Sequence, residues 1–422
     1  MAEIKVSEEP PSRRWTSFDS WDYNGMKERL ETALGRIDKL ALVRHAERIK
    51  GKKLTMSQPF SAGQYWVCFE MIAEDGSLII ARVRLPRHPD ISATVTEEDE
   101  AYAIACEVAT MEFIRQRLSV VSLPRVYAYE GVGSQLAAHA GAPYMLLEGF
   151  YGNTLQDVEF NICNLHTTTQ EHIITQWTRV QAELATLAYP QIGSIASISE
   201  SGEPIIGKLA TAPAEGLSDT GPFYSAADYF TTFGNAATTN LTIRLGAFVF
   251  LDIVKTTDLF GSAGTEGPFP LNHMDLGTQN ILVDKDFNFI AIIDWEFAQT
   301  APWQVIHYPM PFPLLGPDED ILRDPSHLAY KNVFRQDAAR RVYNRKFRDA
   351  ESELKANGRP LGGSFATTLD SPASRIYACF TNLGRMPAAD AGLMHEMARL
   401  AFGLNPQEAE KYVREIEKKY CI

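Results

Sequence analysis

The stretch LNHMDLGTQNILVDKDFNFIAIIDWE, residues 271–296, decides how this chain is read. It sets one His, three Asn and four Asp among runs of Ile, Leu and Val. ILVD (281–284) and FIAIID (289–294) read as short apolar strands joined by KDFN. A hairpin brings its two ends together, so Asp275, Asn280 and Asp294 gather at one end of it. Two carboxylates and an amide oxygen on one spot suit Mg²⁺, a hard cation that takes oxygen ligands and keeps water and phosphate oxygens. Asp284 and Asp286 fall at the turn, where Asp is ordinary turn chemistry.

The bulk of the sequence narrows the classes. The chain has 422 residues, enough for two domains or one domain of two lobes. A net charge of -13 argues against a general nucleic-acid binder, which needs a basic surface. It is compatible with a cationic small substrate. The five cysteines (68, 106, 163, 379, 421) are scattered, odd in number and without CxxC spacing. They read as reduced thiols, with no disulfide framework and no zinc site. MAEIKVSEEPPSRRW, at the start, lacks the apolar core of a signal peptide. LGAFVFLDIV (245–254) is too short to span a bilayer. These features predict a soluble cytoplasmic protein with no membrane partner.

Periodicity supplies a coarse order. Residues 22–50 read as helical, with Leu30, Leu34, Ile37 and Leu40 at helical spacing. Residues 64–86 read as two strands joined by EDG, where Gly76 supplies the positive φ of a hairpin turn. Residues 96–118 form a helix with Thr96 as N-cap and acids in its first turn. RVYAYEGV and PYMLLEGF (143–150) read as two more strands. From residue 170 helices dominate, including 333–358 and 387–419, with a hairpin-like insertion at 193–209. The fold class is therefore α+β, a mostly-β lobe followed by a mostly-α lobe. The boundaries expected are a helical extension over 1–56, a β-rich lobe over 57–150, and a helical lobe over 151–422 that contains the 271–296 strand pair.

His-x-Asp-Leu-x-x-x-Asn is the spacing of the kinase-fold catalytic loop, and a metal-binding Asp follows the next strand pair. His273, Asp275, Leu276, Asn280 and Asp294 fill that pattern. HMDLGTQNILVD with AIIDWEFA resembles the aminoglycoside phosphotransferase / choline kinase-like family, in the form common among fungal members. Asp294-Trp295-Glu296 stands where protein kinases carry Asp-Phe-Gly, and no Ala-Pro-Glu follows it. The stretch between Glu148 and His273 is also longer than protein kinases use there. The small-molecule branch is favoured. The resemblance covers most of residues 57–310, and the GSIASISESGEPIIGKL insertion (193–209) also resembles the fungal form.

The resemblance implies a protein-kinase-like two-lobe fold and ATP-dependent transfer of the γ-phosphoryl group to a hydroxyl of a small molecule. Asp275 is then the catalytic base and His273 an orienting residue of the loop. Asn280 and Asp294 hold Mg²⁺ against the nucleotide phosphates. Gly63 lies in the phosphate-covering hairpin, FSAGQYWVCF. IIAR aligns Arg82 with the phosphate-contacting Lys of kinases, and Arg84 is the alternate register. Glu107 pairs with that Arg, ahead of Glu112. Leu147 guards the adenine pocket, and the backbone of Glu148 and Phe150 meets the base. GTP is the alternative nucleotide. Trp303, Tyr308 and Phe312 are expected to pack rather than bind acceptor. Two alternatives stay open: a kinase-like protein that binds without transferring, and a protein kinase.

Overall fold

A computed structural model describes residues 9–14, 26–87, 95–261, 267–309, 312 and 319–421. Its strands are β1 (Leu54–Ala62), β2 (Trp66–Ala73), β3 (Leu78–Arg84), β4 (Val126–Glu130), β5 (Tyr144–Glu148), β6 (Asn153–Thr154), β7 (Ala188–Tyr189), β8 (Ile195–Ile198), β9 (Pro204–Ile206), β10 (Phe269–Asn272), β11 (Ile281–Val283), β12 (Phe289–Ile292) and β13 (Gln299–Thr300). The helices up to the second half of the chain are α1 (Pro11–Arg14), α2 (Met26–Leu34), α3 (Lys39–Lys50), α4 (Glu97–Arg117), α5 (Gln135–Ala140), α6 (Leu155–Val158) and α7 (Thr167–Leu184). They continue with α8 (Ala226–Ala237), α9 (Arg244–Thr256), α10 (Glu319–Arg323), α11 (Tyr330–Ala356), α12 (Phe365–Thr368), α13 (Pro372–Thr381), α14 (Asp390–Phe402) and α15 (Pro406–Tyr420). The chain is thus a mixed α and β protein, sheet-bearing toward its N-terminus and helical toward its C-terminus. No helix among the described residues is long and apolar enough to cross a membrane.

Two compact units are formed, one from Met1–Phe160 with Asp275–Glu296, the other from Asn161–Met274 with Phe297–Ile422. The segment Asp275–Glu296 therefore groups with the N-terminal unit, whereas the sequence boundaries placed it in the helical lobe. The first unit holds a five-stranded antiparallel sheet, β1-β2-β3-β5-β4. Side chains alternate across it. Val67, Phe69 and Met71 of β2 and Ile79, Ala81 and Val83 of β3 face one way, packed in one core with Leu30, Ala33, Leu42 and Ala46 of α2 and α3. Trp66, Cys68, Arg82 and Arg84 have the opposite parity and face the other way.

Local signals explain most boundaries. Thr96 and Asp99 form a reciprocal capping box at the start of α4. Gly76 has φ +77 in the β2–β3 turn, and Asp75 accepts from the Ser77 amide at 3.1 Å. The helix expected over 22–50 is two helices: the chain turns at Gly35–Arg36, and Asp38 restarts it by accepting from the Ala41 amide. Residues 22–25 lie outside the described residues. β1 is a strand that the periodicity did not separate, because bulges flank Pro59 and interrupt its alternation. The helix expected over 387–419 breaks after Gly403, which is left-handed, and restarts at the Asn405–Glu408 capping box.

The second unit has a three-stranded sheet, β13-β10-β7, and the β8–β9 hairpin, which corresponds to the 193–209 insertion. Gly193 exchanges backbone contact with Thr300, and an added Cβ there would stand 2.1 Å from the Gly207 carbonyl oxygen. Its helices enclose aromatic cores such as Phe230–Phe250–Phe260–Tyr377. Trp303 packs on Phe365, and Tyr308 and Phe312 pack on Tyr343. Residues 310, 311 and 313–315, which flank Phe312 in the proline-rich segment 299–315, lie outside the described residues.

Candidate active site

β11 and β12 form the hairpin, with Ile281 opposite Ile292. It is short but anchored on both sides. β11 pairs with β6, the Ile292 amide donates to Ser122 O at 2.9 Å, and Ser122 Oγ donates to Ile290 O at 2.7 Å. At its tip Asp284 accepts from the amides of Asp286 and Asn288, both at 2.9 Å. At its open end the Ile293 amide donates to Asn280 O at 3.0 Å, which sets Asn280 one residue from Asp294 across the ladder.

Asn280 is buried and tied to Asp275. Its Nδ2 donates to Asp275 O at 2.8 Å and to Asp275 Oδ2 at 3.0 Å. Gln279 Nε2 donates to Asp275 Oδ1 at 3.1 Å, so each carboxylate oxygen has one amide donor. With Nδ2 committed, Oδ1 is the atom of Asn280 left to meet a cation. The backbone at both motif ends is unusual. Met274 and Asp294 each have φ 65, a left-handed conformation that few non-glycine residues adopt outside functional turns.

Asp294 meets Arg82. Arg82 NH2 donates to Asp294 Oδ1 at 3.0 Å, and NH1 donates to Glu107 Oε1 at 2.6 Å. Glu107 on α4 is 1% exposed at its side chain, so the pair is removed from solvent screening. Glu112 is exposed and accepts from Gln116 instead. Burial works to lower the pKa of Arg82, but the charges of Glu107 and Asp294 outweigh it and raise it. Burial raises the Glu107 carboxyl, and Arg82 pulls it back. The guanidinium thus bridges helix α4 to the hairpin end, which a lysine could not do with the same planar fork.

The other expected residues fall as follows. Gly63 is exposed in the β1–β2 turn, and its amide donates to Trp66 O at 2.9 Å. Leu147 is buried on β5 opposite Ile80. The Glu148 amide donates to Arg125 O at 2.8 Å. The Phe150 carbonyl accepts from the Gly152 amide at 3.1 Å. His273 follows β10 in the second unit and is fully buried.

The sequence reading did not single out Glu296 or Trp66. Trp295 is fully buried, with its Nε1 donating to Ile292 O, and it divides Asp294 from Glu296. Burial, followed by the charges of Asp294 and Glu107, pushes the Glu296 carboxyl up to about 8. The available signal was the Asp-x-Glu spacing, which sets Glu296 two residues from Asp294. Trp66 stacks 4.8 Å from the Arg82 guanidinium. Cys68, opposite Arg82 on β2, has its thiol pushed up to about 11 by burial. The carboxylates and the amide form an all-oxygen donor set, which fits Mg²⁺ and not a soft metal. Among the described residues, no three His, Cys, Asp or Glu side chains converge as a metal cluster by themselves.

The family description "Phosphotransferase enzyme family" matches residues 83–305. No curated protein matches the chain. Among solved structures, a Thermobifida fusca YX-ER1 protein assigned as a fructosamine-3-kinase is 14% identical, with TM-score 0.43 over 86% of this chain and 99% of its own. A macrolide 2′-phosphotransferase from Brachybacterium faecium is 17% identical, with TM-score 0.39 over 88% and 97%. An amicoumacin kinase, solved with AMP-PNP, Ca²⁺ and its antibiotic, is 13% identical, with TM-score 0.39 over 92% and 96%.

Proposed function

The chain belongs to the phosphotransferase enzyme family, and on that premise we propose an ATP-dependent kinase that phosphorylates a hydroxyl of a small molecule. The observation that carries this reading is the Arg82 bridge between Glu107 and Asp294, next to the Asp275–Asn280 pair. In this reading residues 57–150 serve as the nucleotide lobe of a kinase-like fold, and the helical 151–422 region supplies the acceptor side. ATP is the expected donor and GTP the alternative. The net charge of -13 and the scattered cysteines support a cytoplasmic enzyme that does not act on nucleic acid.

Asp275 accepts the proton of the attacking hydroxyl as its oxygen bonds to the γ-phosphorus and the bond from that phosphorus to the β–γ bridging oxygen breaks, with ADP as the leaving group. The amides of Gln279 and Asn280 fix its carboxylate in one orientation for that transfer. Asn280 Oδ1 and the Asp294 carboxylate would hold Mg²⁺. When bound, the metal neutralises charge developing on the phosphate oxygens. Arg82 contributes a fixed positive charge to the phosphates while Glu107 holds it in place. His273, buried beside the base in sequence, orients the loop. The backbone at Glu148 and Phe150, with Leu147 behind it, meets the purine, and the Gly63 turn covers the phosphates.

The test is nucleotide-dependent phosphoryl transfer against a panel of small alcohols and amines, with peptides and proteins in parallel. Transfer to a small alcohol is expected, and in Asp275→Ala it falls at least about a hundredfold while Mg·ATP still binds. Full turnover in Asp275→Ala, or transfer confined to peptides and proteins, overturns the proposal.

A further inference from the structure

Two cation-facing features of the first unit have no part in the reaction described above: the Trp66 indole and the Arg84 guanidinium. Trp66 opens β2 directly after the turn at 63–65 and stands opposite Arg84 across the ladder. It is 5% exposed. Its ring lies 4.8 Å from the Arg82 guanidinium and 5.1 Å from that of Arg84, and Arg84 also stacks 4.8 Å from Tyr65. Among the described residues nothing accepts a hydrogen bond from Trp66 Nε1. Native proteins rarely leave such a buried donor unmade, because its desolvation is not repaid. Arg84 differs from Arg82 in the same respect. Arg82 spends two N–H groups on carboxylates, whereas no carboxylate lies within ion-pair distance of Arg84 among the described residues.

A donor without an acceptor therefore stands beside a cation that no carboxylate contacts directly, although the charges of Glu107 and Glu296 reach it, on the sheet face that carries Arg82. The complement of that pair is an anionic oxygen. Its location selects which one. The adjoining turn is held in place from outside the sheet: Arg29 of α2 donates NH1 to Gln64 O at 2.9 Å and NH2 to Pro86 O. The turn thus stands supported beside Trp66, Arg82 and Arg84. We infer that Trp66 Nε1–H and Arg84 receive an oxygen of the nucleotide phosphate chain, as a second phosphate contact beside Arg82. This inference rests on the nucleotide reading above and adds two binding residues to it. Trp66 supplies direction, and Arg84 supplies charge.

The test is calorimetric binding of Mg·ATP, Mg·ADP and adenosine to the full chain. Trp66→Phe keeps an aromatic ring in place and removes the donor together with one ring of the indole, so adenosine serves as the control for lost packing. Its affinity for Mg·ATP and Mg·ADP is expected to fall about tenfold or more, with adenosine affinity unchanged. Arg84→Gln, at a half-buried position, is expected to show the same split and carries the test if Trp66→Phe does not fold. Wild-type affinity for Mg·ATP in both variants, while Asp294→Ala binds it weakly, overturns the inference and leaves the kinase reading intact. Equal losses for adenosine and Mg·ATP also overturn it, since they indicate a role in packing. A wild-type chain that binds no nucleotide overturns both.

Discussion

A lysine at position 82 keeps the charge and loses the geometry. One ammonium group cannot reproduce two N–H bonds, at 2.6 Å to Glu107 and 3.0 Å to Asp294, from one rigid plane. Arg82→Lys should therefore weaken Mg·ATP binding while leaving the fold cooperative. Glu107→Gln should be harsher on stability, because it leaves a nearly buried guanidinium without its nearest counter-charge. We expect a loss of roughly 3 kcal/mol in urea unfolding. A loss below about 0.5 kcal/mol, the size of an exposed pair, would contradict the buried-bridge account. At this scale the sequence was informative where period and motif agreed. Arg82 comes from the resemblance of IIAR to the kinase strand, Glu107 from that resemblance with helix phase choosing it over Glu112, and Asp275, Asn280 and Asp294 from their spacing. Trp66 did not stand out, since an aromatic at the start of a strand is ordinarily core. Only the unfilled indole donor gives it another meaning.

The hairpin 281–292 is held at one edge by a close backbone approach. A Cβ at Gly152 would stand 2.2 Å from Ile290 Cδ1 and 2.9 Å from Val283 O. Gly152→Ala must move the hairpin or the strand beside it, at about 1–3 kcal/mol, seen as a lower denaturant midpoint. Because Asn280 and Asp294 flank that hairpin, Mg·ATP affinity should fall with it. An unchanged midpoint and affinity would mean that β6 does not position the site. Chemistry on β2 gives a second check. A thiol pushed up to about 11 is almost wholly protonated at pH 8, and the thiolate is the nucleophile. Cys68 should resist iodoacetamide at pH 8 while exposed Cys421 reacts first, as read by peptide mass mapping. Elements with caps and clean alternation, such as α4 and β3, were legible from sequence. β1 was not, because its bulges around Pro59 shift the alternation, and the 22–50 and 387–419 helices are split by turn and cap chemistry that overrides apolar periodicity.

For the whole molecule, the described residues from 26 to 56 are structural. Leu30, Ala33, Leu42 and Ala46 close the face of the sheet opposite Arg82, so the extension expected from sequence is part of the first unit's core. Deleting residues 1–56 exposes Val67, Phe69 and Ile79, and the truncated chain should be insoluble or unfolded by circular dichroism. A folded truncation that binds nucleotide would contradict this. The sequence could not place the hairpin with the N-terminal unit, because membership in a compact unit depends on contacts distant in sequence, such as those with Ser122 and β6. The acceptor was equally illegible, as no motif in the helical region names a substrate. The most direct measurement of the central claim is thermal and urea stability of the wild type and Asp294→Ala, with and without Mg²⁺ and ATP. A nucleotide at about a hundred times its Kd should stabilise the wild type by roughly 2.7 kcal/mol, only with Mg²⁺ present, and Asp294→Ala should lose that gain. No shift at millimolar ATP or GTP, or an equal shift in Asp294→Ala, would contradict an Mg-nucleotide site at the end of this hairpin.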